Sequence, residues 1–347
     1  MKKVWKYFAV GLFSLLSVNA WAAHSPLEEE YTRLPMHLVR GEGTLLYSDS
    51  PEYPTRYGVL AEGTAKKGKA RVYYYHVNEM KKPARLVVYA KSDAPRKISV
   101  TRTLRGDPSR AYVPTGRTLS FREAVAEKDP VRDISLSGGE RVVIFEDNPR
   151  GVKPNDLVSG IVEIETETPV TIGTAILPMS IDILSETELQ KAKYIPVDEH
   201  ELRGTYDRDL YWETEPWDFE KGNAEIWIGE EESFCIGYDE IDKVARQNYG
   251  NYGITYHIRV KTKGKGTYRL FINPQGGAYM GTFRIGQNEK LMRTFRTDGG
   301  RAPRIFGHET TEDWMPLGIW TTGRDLLIRF IPAGATYLPL RFLLVKE

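Results

Sequence analysis

Cysteine is nearly missing: Cys235 is the only one in 347 residues. No intrachain disulfide can form, and no cysteine sits where a lipid could be attached. Stability must come from core packing. Excess charge of one sign is missing too, since 48 Lys and Arg meet 47 Asp and Glu for a formal net charge of +1. So balanced a chain lacks the electrostatic grip of a non-specific nucleic-acid binder. Beyond the first residues no apolar run approaches the roughly 20 residues that a membrane-spanning helix needs. His24, His37, His76, His200, His257 and His308 never take the i, i+2 or i, i+4 spacing that brings two imidazoles to one metal. Neither Gly-x-Ser-x-Gly nor Ser-x-x-Lys marks a nucleophile. No cofactor, metal site or catalytic residue is implied.

What is present begins with an export signal. Lys2, Lys3 and Lys6 precede the apolar run Phe8 to Val18, and Ala20-Trp21-Ala22 supplies a cleavage site. Residues 1–22 therefore read as a signal peptide, which places the rest in the periplasm, on the cell surface or outside the cell. Losing those three lysines moves the formal charge from +1 to about −2. About 325 residues remain, more than one core usually serves, so two domains are expected. The charged segment Pro196–Glu201 lacks apolar periodicity and marks the boundary, giving domains 23–195 and 196–347.

Both domains read as β. Twenty prolines and 31 glycines punctuate short apolar runs. In the first domain these are Gly43–Ser48, Arg71–Val77, Arg85–Tyr89, Ile98–Leu104, Arg141–Phe145, Gly160–Glu165 and Val170–Leu177; a comparable series runs from Ala224 to Val345. The expected fold is all-β, two tandem antiparallel sandwiches of jelly-roll or immunoglobulin-like type, with short helical insertions at Phe121–Glu127, capped by Ser120 with Glu123, and after Ser185 with Glu188.

The stretch Asn248 to Tyr279 is the most informative. Ile254, Tyr256, Ile258 and Val260 alternate with Thr255, His257 and Arg259, the mark of a half-buried strand. Lys263-Gly264-Lys265-Gly266 suits a hairpin turn back into Tyr268, Leu270 and Ile272. At one constant offset Tyr57-Gly58, Tyr73 and Asn78 match Tyr252-Gly253, Tyr268 and Asn273, and Gly139-x-x-Val142 and Pro149-x-Gly151 have counterparts at Gly323-x-x-Leu326 and Pro332-x-Gly334. Duplication follows. Asn78, Asn273, Gly276 and Gly277 then read as structural turn residues, the two asparagines in equivalent places and bonded to backbone; an anion nest at Asn273 to Tyr279 is the functional counter-reading.

One segment combines aromatics with acids. Tyr206, Tyr211, Trp212 and Trp217 stand among Glu213 and Glu220, a mixture found in sugar sites. The bland reading is a linker whose tryptophans pack inward, and burial of Trp212 and Trp217 between the domains would remove the support for sugar binding through this run.

The motifs Gly43-Thr44-Leu45-Leu46-Tyr47-Ser48-Asp49-Ser50-Pro51-Glu52, Tyr74-Tyr75-His76-Val77-Asn78, Arg203-Gly204-Thr205, Asn251-Tyr252-Gly253 and Asn273-Pro274-x-Gly276-Gly277-Ala278-Tyr279 resemble a group of secreted bacterial surface proteins of unknown function. Members are often joined to a copper amine oxidase N-terminal-like domain, for which no segment is left over here. The resemblance implies a bacterial envelope setting and transfers no catalytic residue. The expected function is non-enzymatic, in binding, adhesion or assembly with an envelope protein or polysaccharide; the alternative is a carbohydrate-binding or carbohydrate-active protein using Tyr206 to Glu220.

Overall fold

The computed structural model describes residues 25–126, 129–179, 184–297, 306–308 and 310–347. The expected signal peptide, residues 1–22, lies outside them, as does the Ser185 side chain. The described chain is an all-β protein of two sandwiches. The first uses β1 (Thr44–Ser48), β2 (Gly58–Ala65), β3 (Gly68–Val77), β4 (Ala84–Lys91), β5 (Arg96–Arg105), β6 (Arg132–Leu136), β7 (Val142–Glu146), β8 (Leu157–Thr166) and β9 (Val170–Pro178). The second uses β10 (Asp209–Thr214), β11 (Ala224–Ile228), β12 (Thr255–Val260), β13 (Thr267–Pro274), β14 (Thr282–Gly286), β15 (Arg293–Arg296), β16 (Met315–Thr321), β17 (Leu326–Phe330) and β18 (Leu340–Lys346).

The two halves share one topology. In the first, β1-β3-β8-β5-β6 face β2-β9-β4-β7; in the second, β10-β12-β17-β14-β15 face β11-β18-β13-β16. Each strand keeps its rank. The hand of every pairing also repeats, including the parallel contacts β1 with β3 and β10 with β12. Those parallel pairs depart from the purely antiparallel sandwich expected, because the chain visits the opposite sheet between them. For the same reason Lys263 to Gly266 is no hairpin: β12 and β13 lie in different sheets, and the glycines carry the chain across.

The constant-offset matches do not coincide with this equivalence. Tyr73 and Asn78 belong to β3 and its exit, whereas Tyr268 and Asn273 lie on β13, the counterpart of β4. Both asparagines do bond to backbone, Asn78 Nδ2 to the Val152 and Lys82 carbonyls at 2.8 and 3.0 Å and Asn273 Nδ2 to those of Thr311 and Asp313 at 2.7 and 2.8 Å. They do the same work in different places.

Each sandwich is edged by a segment that precedes the other. Met36–Glu42, just before β1, pairs antiparallel with β10, while Arg203–Tyr206, just before β10, pairs antiparallel with β1. Further out, Thr32–Arg33 runs parallel to β11 and Tyr194 bridges in parallel to Val59 of β2. Strand pairing thus crosses the expected boundary at 195/196 in both directions. Buried Arg203 locks the exchange, donating to the carbonyls of Leu60 and Ile195 at 3.1 and 2.9 Å and to Asp239 at 2.9 Å. Leu34 and Met36 pack into the second core.

Alternation along the strands fills the cores. Val72 and Tyr74 of β3 join Leu86, Val88 and Val162 inside the first sandwich, and Tyr256, Ile258 and Val260 join Phe283, Ile328 and Phe342 inside the second. Each such fully buried side chain contributes about 1.5–3 kcal/mol. A third cluster, of Leu45, Tyr47, Tyr73, Tyr75 and Ile161 with Tyr206, Leu210, Ile254 and Ile331, glues the halves together. Helix α1 (Tyr112–Val125) fills the β5–β6 connection; it starts well before Phe121, and Ser120 is no cap, since its Oγ accepts from the Thr282 N–H at 3.0 Å. Pro114 sits in the first turn, where a missing N–H costs nothing. Helix α2 (Leu184–Lys191) covers the β2-β9-β4-β7 sheet through Leu189. No described helix is long and apolar enough to cross a membrane.

Candidate functional site

The outer face of the β10-β12-β17-β14-β15 sheet forms a cleft of about 720 Å³. One row of residues crosses its floor. Strand register sets Arg40 of the exchanged strand beside Tyr211, Tyr211 beside His257, His257 beside Arg329, and Arg329 beside Arg284. These positions alternate with the core residues of their strands, which is why they point outward.

The row is held tightly. The Tyr211 and His257 rings stack with centroids 4.4 Å apart at 10°, and the Arg40 guanidinium lies 3.8 Å from the Tyr211 ring centre on a cation–π contact. Tyr211 donates its hydroxyl to Glu42 Oε1 at 2.7 Å, a bond that pulls the Glu42 carboxyl below its ordinary range. His257 Nε2 donates to Asp209 Oδ1 at 3.4 Å. Burial opposes ionisation of Asp209, yet the His257 bond and the Arg71 and Arg208 guanidiniums hold it well below the usual carboxylate range.

Behind the row runs a chain of charges that joins the sandwiches. Arg71, fully buried, donates to Glu163 Oε1 at 2.7 Å and reaches Gly253 O and Thr255 Oγ1 at 2.7 and 2.9 Å. Glu163 Oε2 receives Arg208 at 3.0 Å, and Arg102 links Glu163 to Glu123 of α1, which in turn holds Arg329. Although burial opposes its charge, the arginines around Glu163 keep its carboxyl below normal. Adjacent Arg329 and Arg284 repel across the strands. Helix α1 offsets that repulsion through Glu123 and through the Ala124 carbonyl, which accepts from Arg284 at 2.9 Å. Arg284 Nε is buried and has no acceptor among the described residues.

The cleft lining holds six cations, Arg40, Lys69, Arg208, Arg259, Arg284 and Arg329, against the carboxylates Glu42, Asp209, Glu213 and Glu289. Such a surface can receive an anion at the arginines and hydroxyl donors at the carboxylates. Among the described residues no three His, Cys, Asp or Glu side chains gather as a metal site.

The sequence-selected residues divide. Tyr211 and Glu213 face the cleft, Glu213 paired with Lys261 at 2.8 Å. Trp212 contributes to the cleft wall, but its indole packs against both the second core and the interdomain cluster. Trp217 packs on the second core with its indole N–H on the Gly222 carbonyl at 3.2 Å, and Tyr206 is buried in the interdomain cluster. Glu220 is exposed on a short turn outside the cleft. Both tryptophans are half-buried against the second core, and of the two Trp212 also touches the interdomain cluster. The nest reading of Asn273 to Tyr279 falls, because the Gln275 and Gly276 amides both donate to the Pro339 carbonyl at 3.0 and 3.1 Å. Gly276 is required by packing, since a Cβ there would lie 1.9 Å from Leu338 O, and Gly277 adopts φ +117.

Sequence reading missed Arg40, His257, Arg284 and Arg329. They come from four separate strands, and only the outward alternation of His257 and Arg259 hinted at a charged face.

No family model matches the chain, and no curated protein matches it. Among solved structures, the Paenibacillus xanthan lyase aligns at 9% identity with a TM-score of 0.25, over 90% of this chain and 26% of the lyase. The chain thus spans about a quarter of that protein's length. The CBM22-1–CBM22-2 tandem domain of Paenibacillus barcinonensis Xyn10C aligns at 9% identity with a TM-score of 0.18, over 88% of this chain and 98% of the other.

Proposed function

We propose that this protein is an exported, non-enzymatic binding protein of the bacterial envelope, and that its second sandwich holds an acidic polysaccharide. The supporting observation is the row Arg40, Tyr211, His257, Arg329 and Arg284 across an open cleft. Forked guanidiniums suit carboxylate or sulfate groups. The four carboxylates in the same lining argue against a densely charged polyphosphate chain, which they would repel, and for a ligand whose hydroxyls they can accept. The export signal and the surface-protein motifs supply the setting.

Affinity electrophoresis of the protein in gels containing polygalacturonate, chondroitin sulfate or neutral dextran tests this. Retardation by an acidic polymer and free migration in dextran are expected, with the acidic arms telling carboxylate from sulfate. Replacing both Tyr211 and Arg259 by Ala removes an aromatic wall and an exposed cation, and binding weakens roughly tenfold or more, the loss of about 1.4 kcal/mol or above. Free migration in both acidic gels, or retardation untouched by the double variant, overturns the reading.

A further inference from the structure

A second cleft, of about 360 Å³, lies on the first sandwich where the entrance to β2 meets the exit of α2. Two tyrosines line it. Tyr57 and Tyr194 are 40% and 46% exposed, unusual for large rings on a surface that has a core to pack against. Their placement is rigid: the Val59 N–H donates to the Lys193 carbonyl and the Ile195 N–H to the Val59 carbonyl, both at 2.9 Å. Gly58 permits this approach, since a Cβ there would lie 2.5 Å from Lys193 O. The Tyr194 hydroxyl is pinned on Glu62 Oε1 at 2.6 Å, which fixes its ring.

Around these rings stand Arg56, Lys191 and Lys193, with Glu188 as the one carboxylate in the lining. None of the three cations has a carboxylate partner among the described residues. That contrasts with the larger cleft, where most arginines are already paired. Fixed aromatic faces beside free cations fit a sugar that stacks its apolar face on a ring and turns an acidic group to the cations. We infer that this cleft is a second acidic-sugar subsite, so that each sandwich carries one binding site and a single polymer engages both. This rests on the polysaccharide reading of the larger cleft. Two linked sites raise the apparent affinity for a long chain without adding any contact for a short one.

Calorimetric titration of the full chain with digalacturonate, and in parallel with polygalacturonate, tests this with two variants. Y57A/K193E alters only exposed side chains at the second cleft; Y211A/R259A alters the first. The expected result is two digalacturonate molecules bound per chain in the unaltered protein and one in each variant, with polygalacturonate binding at least tenfold weaker in either. One molecule bound, lost in Y211A/R259A and untouched by Y57A/K193E, overturns the second subsite and leaves the larger cleft standing. One molecule lost only in Y57A/K193E overturns the larger-cleft reading instead, and no binding overturns both.

Discussion

The outer face of the β1-β3-β8-β5-β6 sheet carries Tyr47, Tyr73, Tyr75, Leu104 and Ile161, all buried, while the same face of β10-β12-β17-β14-β15 carries Tyr211, His257, Arg259, Arg284 and Arg329 and stays partly open. The strand order beneath is the same. What differs is the covering: α1 and residues of the second half close the first face, whereas on the second face α1 reaches the Arg284 and Arg329 side and the short connection Gln287 to Met292 stands where α1 stands in the first half. A covered face must be apolar or internally paired, and an uncovered one is free to carry charge. One architecture thus yields a joint in one copy and an open, charged face in the other, the face we propose for binding, so function has to be argued from the faces and not from the fold.

The sharpest break of the comparison is at the joint. Arg71 sits on the covered face, fully buried, with Glu163 at 2.7 Å. Removing it by Arg71→Ala takes from Glu163 its nearest cation, leaving Arg208 and Arg102, and takes the shared donor from the Gly253 carbonyl and the Thr255 hydroxyl, at a cost of about 3 kcal/mol. Urea denaturation reads this as a lower midpoint; a loss below 1 kcal/mol would mean that the charge chain does not join the halves.

Acid should also strain the first sandwich before the second. His76 is buried on β3, its Nδ1–H donating to the Pro51 carbonyl at 2.8 Å while Nε2 accepts from Ser48 Oγ at 2.8 Å, and burial lowers its pKa from 6.5 to about 4. The unfolded chain therefore takes up the proton first. Stability from this group is full above pH 6.5 and is lost as pH falls toward 4, about 3 kcal/mol in all. Asp209 and Glu163, whose carboxyls are lowered, act in the same direction but only below their unfolded range near pH 4. Denaturation midpoints at pH 7 and pH 5, compared with a His76→Gln variant, separate the two windows; a variant whose midpoint falls as steeply as the parent's over that interval refutes the assignment to His76.

Much of this architecture was legible along the chain. Alternation at Ile254 to Val260 gave a strand with Ile254, Tyr256, Ile258 and Val260 buried as read, although Thr255, read as outward and wet, is buried under Arg71, and regularly spaced turns gave sandwiches. Which sheet a strand joins was not legible, because Lys263 to Gly266 serves a crossing between sheets as readily as a hairpin. Strand exchange was invisible for a related reason: Met36–Glu42 has no local mark that its partner is β10, more than 160 residues away. The repeat was sensed through identities that proved to be off by one strand, since topology survives where sequence does not. Of the cleft lining, only the contiguous Tyr211, Trp212 and Glu213 were picked out, for a row built from distant strands has no local spacing to read.

The asparagines sharpen that point at smaller magnitude. Asn78 and Asn273 each bridge two backbone carbonyls from a buried position, though on non-equivalent strands. Replacing either by Ala leaves buried carbonyls unmet and costs about 1–3 kcal/mol. Because the two sites share no partner, the double variant should show the sum. Thermal melts of the three variants check this; strong non-additivity would indicate that the sandwiches respond as one unit at these loops.

The smallest effect on stability belongs to the open face. Arg259 is half exposed and reaches Asp325 at 3.6 Å, a contact that solvent screens. Arg259→Ala should leave the urea midpoint within about 0.5 kcal/mol of the parent. The same chemical change, an arginine to alanine on corresponding faces of repeated sheets, is thus expected to unseat the fold at Arg71 and to spare it at Arg259, where acidic-polymer binding weakens instead. If Arg259→Ala unfolds the protein as Arg71→Ala does, the second face is structural like the first, and the division between joint and binding surface fails.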